Sequence, residues 1–493
     1  MTGLKYDSSD SLSIEAYAKL LIGKTFLDII NDADLNNDVR VSIIDSYGNP
    51  KRKGGLGNLL EEIYFGYKAN NDQEPDFKEA GVELKVSPYE KLNNGKYRAG
   101  ERLIITMIGY AVPIELDFKS SHVWNKIRLI LLIYYLRNRE IDNLLYPIDY
   151  AKLFSPPEED LAIIKNDYEK IVSKIQKGLA HQLSESDTMY LGACTKGATA
   201  EKGIVPQYYN PYVPAMTRAF CFKVSYMNYV FNHYVLADVD TYKPPKTDDF
   251  EPIIKSPEFL EETSFESYIE NKIKSYSGKT DEKLCELFGR AYNNNKAQWI
   301  DLAYRMLGIR SNRAEEFEKA NIIVKSIRIE SDGKMVESMS LPPFRFKDLA
   351  NEEWEDSELF TYFDEKRFLF VVYEHSGDNY ILKGGQIWNM PADDLNEIAY
   401  HGWKNIQNKI KSGVSLKKIE TKNGYEIKND LPKKKDNKII HIRPHTAKRA
   451  YILSSGEIIG NAKKHANELP DGQWMTTQSF WINNDYILSQ IKL

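Results

Sequence analysis

The chain has 493 residues, more than one hydrophobic core serves, so two domains or more are expected. Its 66 Lys and Arg against 71 Asp and Glu leave a net charge of −5, which excludes a uniformly basic nucleic-acid coat and leaves phosphate binding to local cationic stretches. The N-terminus lacks a basic segment followed by an apolar core, the most apolar run spans only Leu129 to Leu136, and the three cysteines (Cys194, Cys221, Cys285) are scattered; a cytoplasmic protein with buried, reduced thiols is expected, without disulfides or membrane spans.

In chain order, Ser13 reads as the N-cap of a helix that runs through Leu21 and stops at Gly23. GNLLEEIYFGYK has apolar residues at helical spacing and ends near Gly66. Strands are expected at VELKV (82–86), RLIITMIGY (102–110) and IRLILLIYYL (127–136), the last apolar enough to be covered on both faces. A long helix follows Ser155, with Pro156 in its first turn, and stops at Gly178. MYLGAC and AFCFKV read as further strands. Prolines and charge without periodicity mark a linker at 238–260, separating domains at 1–237 and 261–493.

The second half repeats the first. PDFKEAGVELK (75–85) lies over EEFEKANIIVK (315–325) at an offset of 240, with Phe77 and Phe317, Ala80 and Ala320, Lys85 and Lys325 identical. A helical pattern precedes both, and FCFKVSYMNYVF (220–231) matches FWINNDYILSQI (480–491) in pattern. Two copies of one α/β fold are expected, each a mixed central sheet flanked by helices.

In the first copy, Val82, Leu84 and Val86 point to one side of the strand, while Glu83 and Lys85 share the outer face. Asp76 returns to the same place if 76–80 form a preceding strand or turn, and Glu61 joins from the helix. Two or three carboxylate oxygens with open positions suit Mg2+ in phosphoryl chemistry, and Lys85 would orient water or stabilise developing charge. Glu-x-Lys alone means little, because it recurs at 270–272, 420–422 and 426–428, where a surface ion pair explains it. In the second copy Ile323 replaces Glu83 and Glu316 replaces Asp76, while Lys325 persists. That copy is expected to keep the fold and lose the cut.

Between Lys422 and Lys464 eleven Lys or Arg face four acids, a stretch suited to phosphate. Residues 238–266 reverse the balance, and NEEWEDSE at 351–358 is a second acidic block; both read as solvated faces.

GNLLE, PDF, AGVELK with a following proline, NGKY and ERL, then NEEWEDSE, HIRPHT and QSFWINNDYI, closely resemble the MutH and Sau-type endonucleases of the PD-(D/E)xK superfamily, which act at GATC. The two-copy layout is similar to the Sau-type restriction enzymes. The resemblance implies two pseudo-repeated restriction-endonuclease-like domains, with Asp76 and Glu83 as Mg2+ ligands, Lys85 as the catalytic lysine, Glu61 as a supporting carboxylate and Lys126 as a further active-site lysine. The family's base-reading Arg-Pro-Lys segment falls on Cys194, Thr195 and Lys196 in the first copy, and on Arg443, Pro444 and His445, with Lys448 nearby, in the second. His441 and His445 lack companions at metal-ligand spacing and are assigned no metal.

The activity implied is a type II restriction endonuclease that cuts double-stranded DNA at GATC with Mg2+, its second copy binding DNA as an effector. Two chains would meet on DNA or nicks would accumulate in sequence, and a cognate methyltransferase would protect host DNA without a required complex. The alternatives are a repair-type nicking enzyme acting at GATC and a catalytically inactive GATC-binding protein.

Overall fold

The computed structural model describes residues 5–48, 55–68, 74–92, 95–196, 203–239, 241, 252–254, 259–293, 295–309, 314–335, 337–421 and 424–493. Most of the expected linker, including 242–251, lies outside them. The chain divides into two compact units, Met1–Phe265 with Arg313–Asn321, and Glu266–Asn312 with Ile322–Leu493. Both are mixed α/β.

The strands of three residues or more in the first unit are β1 (Glu83–Lys91), β2 (Tyr97–Ala99), β3 (Leu103–Met107), β4 (Ile130–Leu136), β5 (Ile148–Phe154), β6 (Leu191–Thr195) and β7 (Arg218–Phe222). One sheet has the order β2-β1-β4-β5, with β1 parallel to β4 from Glu83 opposite Ile130 to Tyr89 opposite Leu136, and the other pairs antiparallel. Residues 130–134 are fully buried, as an apolar strand covered on both faces must be. One face, carrying Leu84, Leu131 and Ile133, packs on Ile14, Phe26 and Leu59. A second, antiparallel sheet has the order β3-β7-β6.

The long helix spans Glu158–Gln176, with acids in its first turn, where the helix dipole favours them, and Ile164, Tyr168, Ile171 and Ile175 buried at helical spacing. Gly178 ends it at φ 72°, and a Cβ there would lie 2.7 Å from the Asn210 side chain. The first helix starts earlier than its sequence indicates: it spans Ser11–Lys19 and is capped by Asp10, whose side chain accepts from the Leu12 N–H. Ser13 serves the preceding turn instead, accepting from the Asp7 N–H at 3.0 Å.

In the second unit, β8 (Ile322–Ile329) is parallel to β10 (Arg367–Ser376), which pairs antiparallel with β11 (Asn379–Trp388). An antiparallel sheet of β9 (Met339–Pro343), β13 (Gln478–Ile482) and β12 (Ile440–Pro444) has the order β9-β13-β12. Phe368, Phe370, Trp388 and Trp403 centre its core. In each unit the last strand of the second sheet leads into a helix, Val224–Val230 after β7 and Asn484–Gln490 after β13.

Cys194, Cys221 and Cys285 are free and buried. Among the described residues no helix is long and apolar enough to cross a membrane.

Candidate active site

The site forms at the start of β1. Phe77 and Val82 bridge across a tight turn, the Phe77 N–H donating to Val82 O at 2.9 Å and the Val82 N–H to Phe77 O at 3.2 Å. That turn returns Asp76 alongside the strand, where its Oδ2 accepts from the Leu84 N–H at 2.9 Å. Gly81 makes the turn possible: its φ is +65°, and a Cβ would run into the Arg128 guanidinium.

Glu83 departs from its expected place on an outer strand face: it is 1% exposed. Its carboxylate lies between two ammonium groups. Lys85 Nζ is 2.8 Å from Oε1, and Lys126 Nζ is 3.1 Å from Oε1 and 3.2 Å from Oε2. The topology explains the second contact. Glu83 is in register with Ile130 of the parallel strand β4, and the helix His122–Ile127 leads into that strand, so Lys126 arrives at the same end of the sheet. Lys126 is buried, whereas the Lys85 side chain is 21% exposed and meets solvent.

Glu61 lies on a single π-helical turn, Leu60–Tyr64, which follows a short helix from Gly55. Such turns often mark functional sites. Burial, with the nearby Asp76 charge, pushes the Glu61 carboxyl up to about 7. Burial and Glu83 together push Asp76 up to about 6. Three carboxyls thus crowd a place short of water and compete for positive charge.

Tyr67 joins them, a residue that motif reasoning passes over. Its N–H donates to Glu61 O at 3.0 Å, its ring packs edge-on against Phe77 at 5.4 Å, and its buried hydroxyl has no hydrogen-bond partner among the described residues. Burial and the charges of Asp76, Glu61 and Glu83 raise its proton affinity. The only sequence signal for it is proximity, just past the Gly66 that ends the helix.

The donor set is all oxygen and anionic, which fits a hard divalent cation such as Mg2+. Among the described residues no group of three or more His, Cys, Asp or Glu is arranged to hold a metal unaided. Asp76 and Glu83 would therefore supply two ligands, the rest coming from water and substrate, the usual arrangement for Mg2+.

The other predicted residues lie on other elements. Lys196 is exposed just past β6, and its N–H donates to Thr217 O at 2.8 Å. In the second unit Arg443 is exposed at the end of β12, its guanidinium 5.4 Å from the centre of the Trp481 ring. His445 and Lys448 are exposed beside it. The His445 N–H donates to Thr477 O at 2.8 Å, the same contact that Lys196 makes, and each acceptor threonine immediately precedes the central strand of its three-stranded sheet. His441 is buried, its Nδ1 2.5 Å from Asn483 Oδ1, and burial pulls its ring down to about 4.

Glu316, aligned with Asp76, has a different task. Its carboxylate accepts from the Ile253 and Ile254 N–H groups at 2.9 to 3.0 Å, within the first unit.

A family model described as the DNA mismatch repair enzyme MutH matches residues 65–167, a span that contains Asp76, Glu83, Lys85 and Lys126. Over 469 residues the chain is 36% identical to the type II restriction enzyme Sau3AI of Staphylococcus aureus, covering 89% of this chain and 92% of that enzyme. It is 34% identical over 164 residues to the DNA mismatch repair protein MutH of Shewanella woodyi, which covers 32% of this chain and 69% of that protein. The MutH protein of Vibrio vulnificus is 29% identical over 188 residues, 37% of this chain and 75% of its own length. The match to Sau3AI runs through both units, whereas each MutH match covers well under half of the chain. This chain belongs to the family of type II restriction endonucleases that includes Sau3AI, and it contains a MutH domain.

Proposed function

We propose that this endonuclease hydrolyses double-stranded DNA at GATC with Mg2+, through the cluster of Asp76, Glu83 and Lys85. The observation that carries the reading is the Glu83 carboxylate, held between Lys85 and Lys126 beside Asp76. Bound Mg2+ would polarise the scissile phosphate and lower the pKa of a coordinated water.

The chain's own groups supply the rest. The Leu84 N–H fixes Oδ2 of Asp76 and leaves Oδ1 free to bind. Buried Lys126 holds Glu83 in one orientation, while Lys85, which meets solvent, donates to the attacking water or to a non-bridging phosphate oxygen. Glu61 stands beside Asp76 as a supporting carboxylate.

The second unit is read as a degenerate copy of the first that binds DNA and does not cut it. Support comes from the shared strand pattern, the matching N–H bonds of Lys196 and His445, and Ile323 in the place of Glu83. Arg443, His445 and Lys448 would meet DNA there, and Lys196 in the first unit. One catalytic cluster per chain cannot cut both strands of a palindrome in one pose, so two chains meet on the DNA or one chain nicks the strands in turn. The enzyme acts in the cytoplasm, beside a methyltransferase that modifies the same site.

The test is digestion of an unmethylated plasmid bearing several GATC sites, in Mg2+ or in EDTA, with sequencing of the ends. Mg2+-dependent ends at GATC alone are expected. Ends elsewhere would refute the specificity, and cutting in EDTA would refute the metal.

A further inference from the structure

In the first unit, Lys85 spends its charge on Glu83. In the second, Lys325 stands on β8 where Lys85 stands on β1, and the residue two places before it is Ile323. Among the described residues Lys325 has no ion-pair or hydrogen-bond partner. It lines a cavity in the second unit together with Ser326, Arg328 and Ser340, with Glu330 and Glu337 also on the wall.

An ammonium that is partly withdrawn from water and unpaired costs stability. Burial alone lowers its proton affinity, with no opposing contribution from a carboxylate, so neither glutamate neutralises it. Glu330 lies five residues further along an extended chain, roughly 16 Å away at strand spacing, and is occupied by the Tyr380 hydroxyl at 2.9 Å. Glu337 has a partner of its own. Arg328 stacks on Trp299, its guanidinium 4.6 Å from the ring centre, which restricts it to that wall of the cavity. The cavity wall therefore carries Lys325, with no partner among the described residues, Arg328 held against Trp299, two serines and two glutamates that are engaged elsewhere.

We propose that this cavity is a metal-free phosphate site, in which Lys325 binds a DNA backbone phosphate that the second unit holds and cannot cleave. Loss of the Glu83 equivalent then does two things. It removes the metal site, and it releases the lysine to pair directly with substrate charge. The proposal rests on the reading of the second unit as DNA-binding.

The test uses full-length protein in EDTA and a short GATC duplex, with binding measured across a series of KCl concentrations. Lys325→Met is expected to raise the melting temperature of the free protein, because an unpaired ammonium is removed. It should also reduce the steepness of log K against log salt by about 0.9, the contribution of one phosphate contact. Lys325→Arg should retain the wild-type slope. An unchanged slope in Lys325→Met would overturn the proposal, as would a lower melting temperature, which would mean that the ammonium was paired.

Arg443→Ala separates the two readings. If it reduces the slope and Lys325→Met does not, the second unit still binds DNA and only the cavity assignment fails; if neither changes the slope, both fail. Inorganic phosphate, at ionic strength matched with chloride, distinguishes the source. Stabilisation of wild type by phosphate, without any change of duplex slope in Lys325→Met, would mean a free-phosphate site and overturn the DNA assignment.

Discussion

Lys126 Nζ lies 3.1 Å and 3.2 Å from the two carboxylate oxygens of Glu83, across a separation of 43 residues. Lys85 adds a second cation at 2.8 Å. Glu83→Gln should therefore do more than remove a metal ligand: it leaves Lys126 buried without its anion. Cleavage should be lost, and stability should fall by roughly 2 kcal/mol, the scale of a hydrogen bond to a charged group. Glu83→Gln with Lys126→Met should recover much of that stability and none of the cleavage. A double-mutant cycle in urea unfolding checks the coupling, and strictly additive effects would disprove it.

The raised carboxyls set a pH dependence. Asp76, at about 6, and Glu61, at about 7, bind protons more tightly in the folded chain than in the unfolded one, where both titrate near about 4. Their contribution to stability is thus fully present below about pH 4 and is lost as pH rises through about 6 and 7. Metal-free protein should lose stability across that window, and Asp76→Asn with Glu61→Gln should flatten the decline. Mg2+ needs the ionised forms, so stabilisation by Mg2+ should grow over the same range. Urea midpoints from pH 4.5 to 7.5, with and without Mg2+, test both trends.

The helix Glu315–Ala320 belongs to the first unit, although it lies far along the chain. Its Lys319 Nζ is 2.6 Å from both Asp160 Oδ1 and Glu315 Oε1, and all but 3% of the lysine side chain is buried. Lys319→Met strands the Asp160 charge and should cost roughly 3–5 kcal/mol. Deleting residues 260–493 removes the same cation, so the shortened first unit should unfold at lower urea than in the full chain. Equal midpoints would refute this.

Tyr67 carries a buried hydroxyl with no partner among the described residues. Tyr67→Phe should raise the stability of metal-free protein by about 1 kcal/mol, since an unsatisfied polar group is removed and the ring contact with Phe77 is kept. Calorimetry in EDTA measures this directly, and a loss of stability would mean that the hydroxyl is satisfied.

Much of the local design was legible in the sequence. The alternation in VELKV put Glu83 and Lys85 on one face, the apolar run at 127–136 announced a strand covered on both sides, and Gly178 stopped the long helix, whereas Pro156, expected in its first turn, lies before the Pro157 cap. These follow from short-range sterics and periodicity, which act within a few residues. The N-cap was harder to read, because Asp10 and Ser13 are both good caps and the surrounding turn decided between them.

Residue types and their spacing along the chain determined which chemistry is available: Glu83 beside Lys85 on one strand, and Ile323 in the matching place before Lys325. Only the tertiary structure decided that Glu83 is buried, that Lys126 reaches it, that Glu316 caps backbone N–H groups, and that Lys319 completes the first unit. The reason is physical. Burial and ion pairing depend on which strand lies beside which, and the parallel pairing of β1 with β4 joins residues whose separation along the chain carries no local signal.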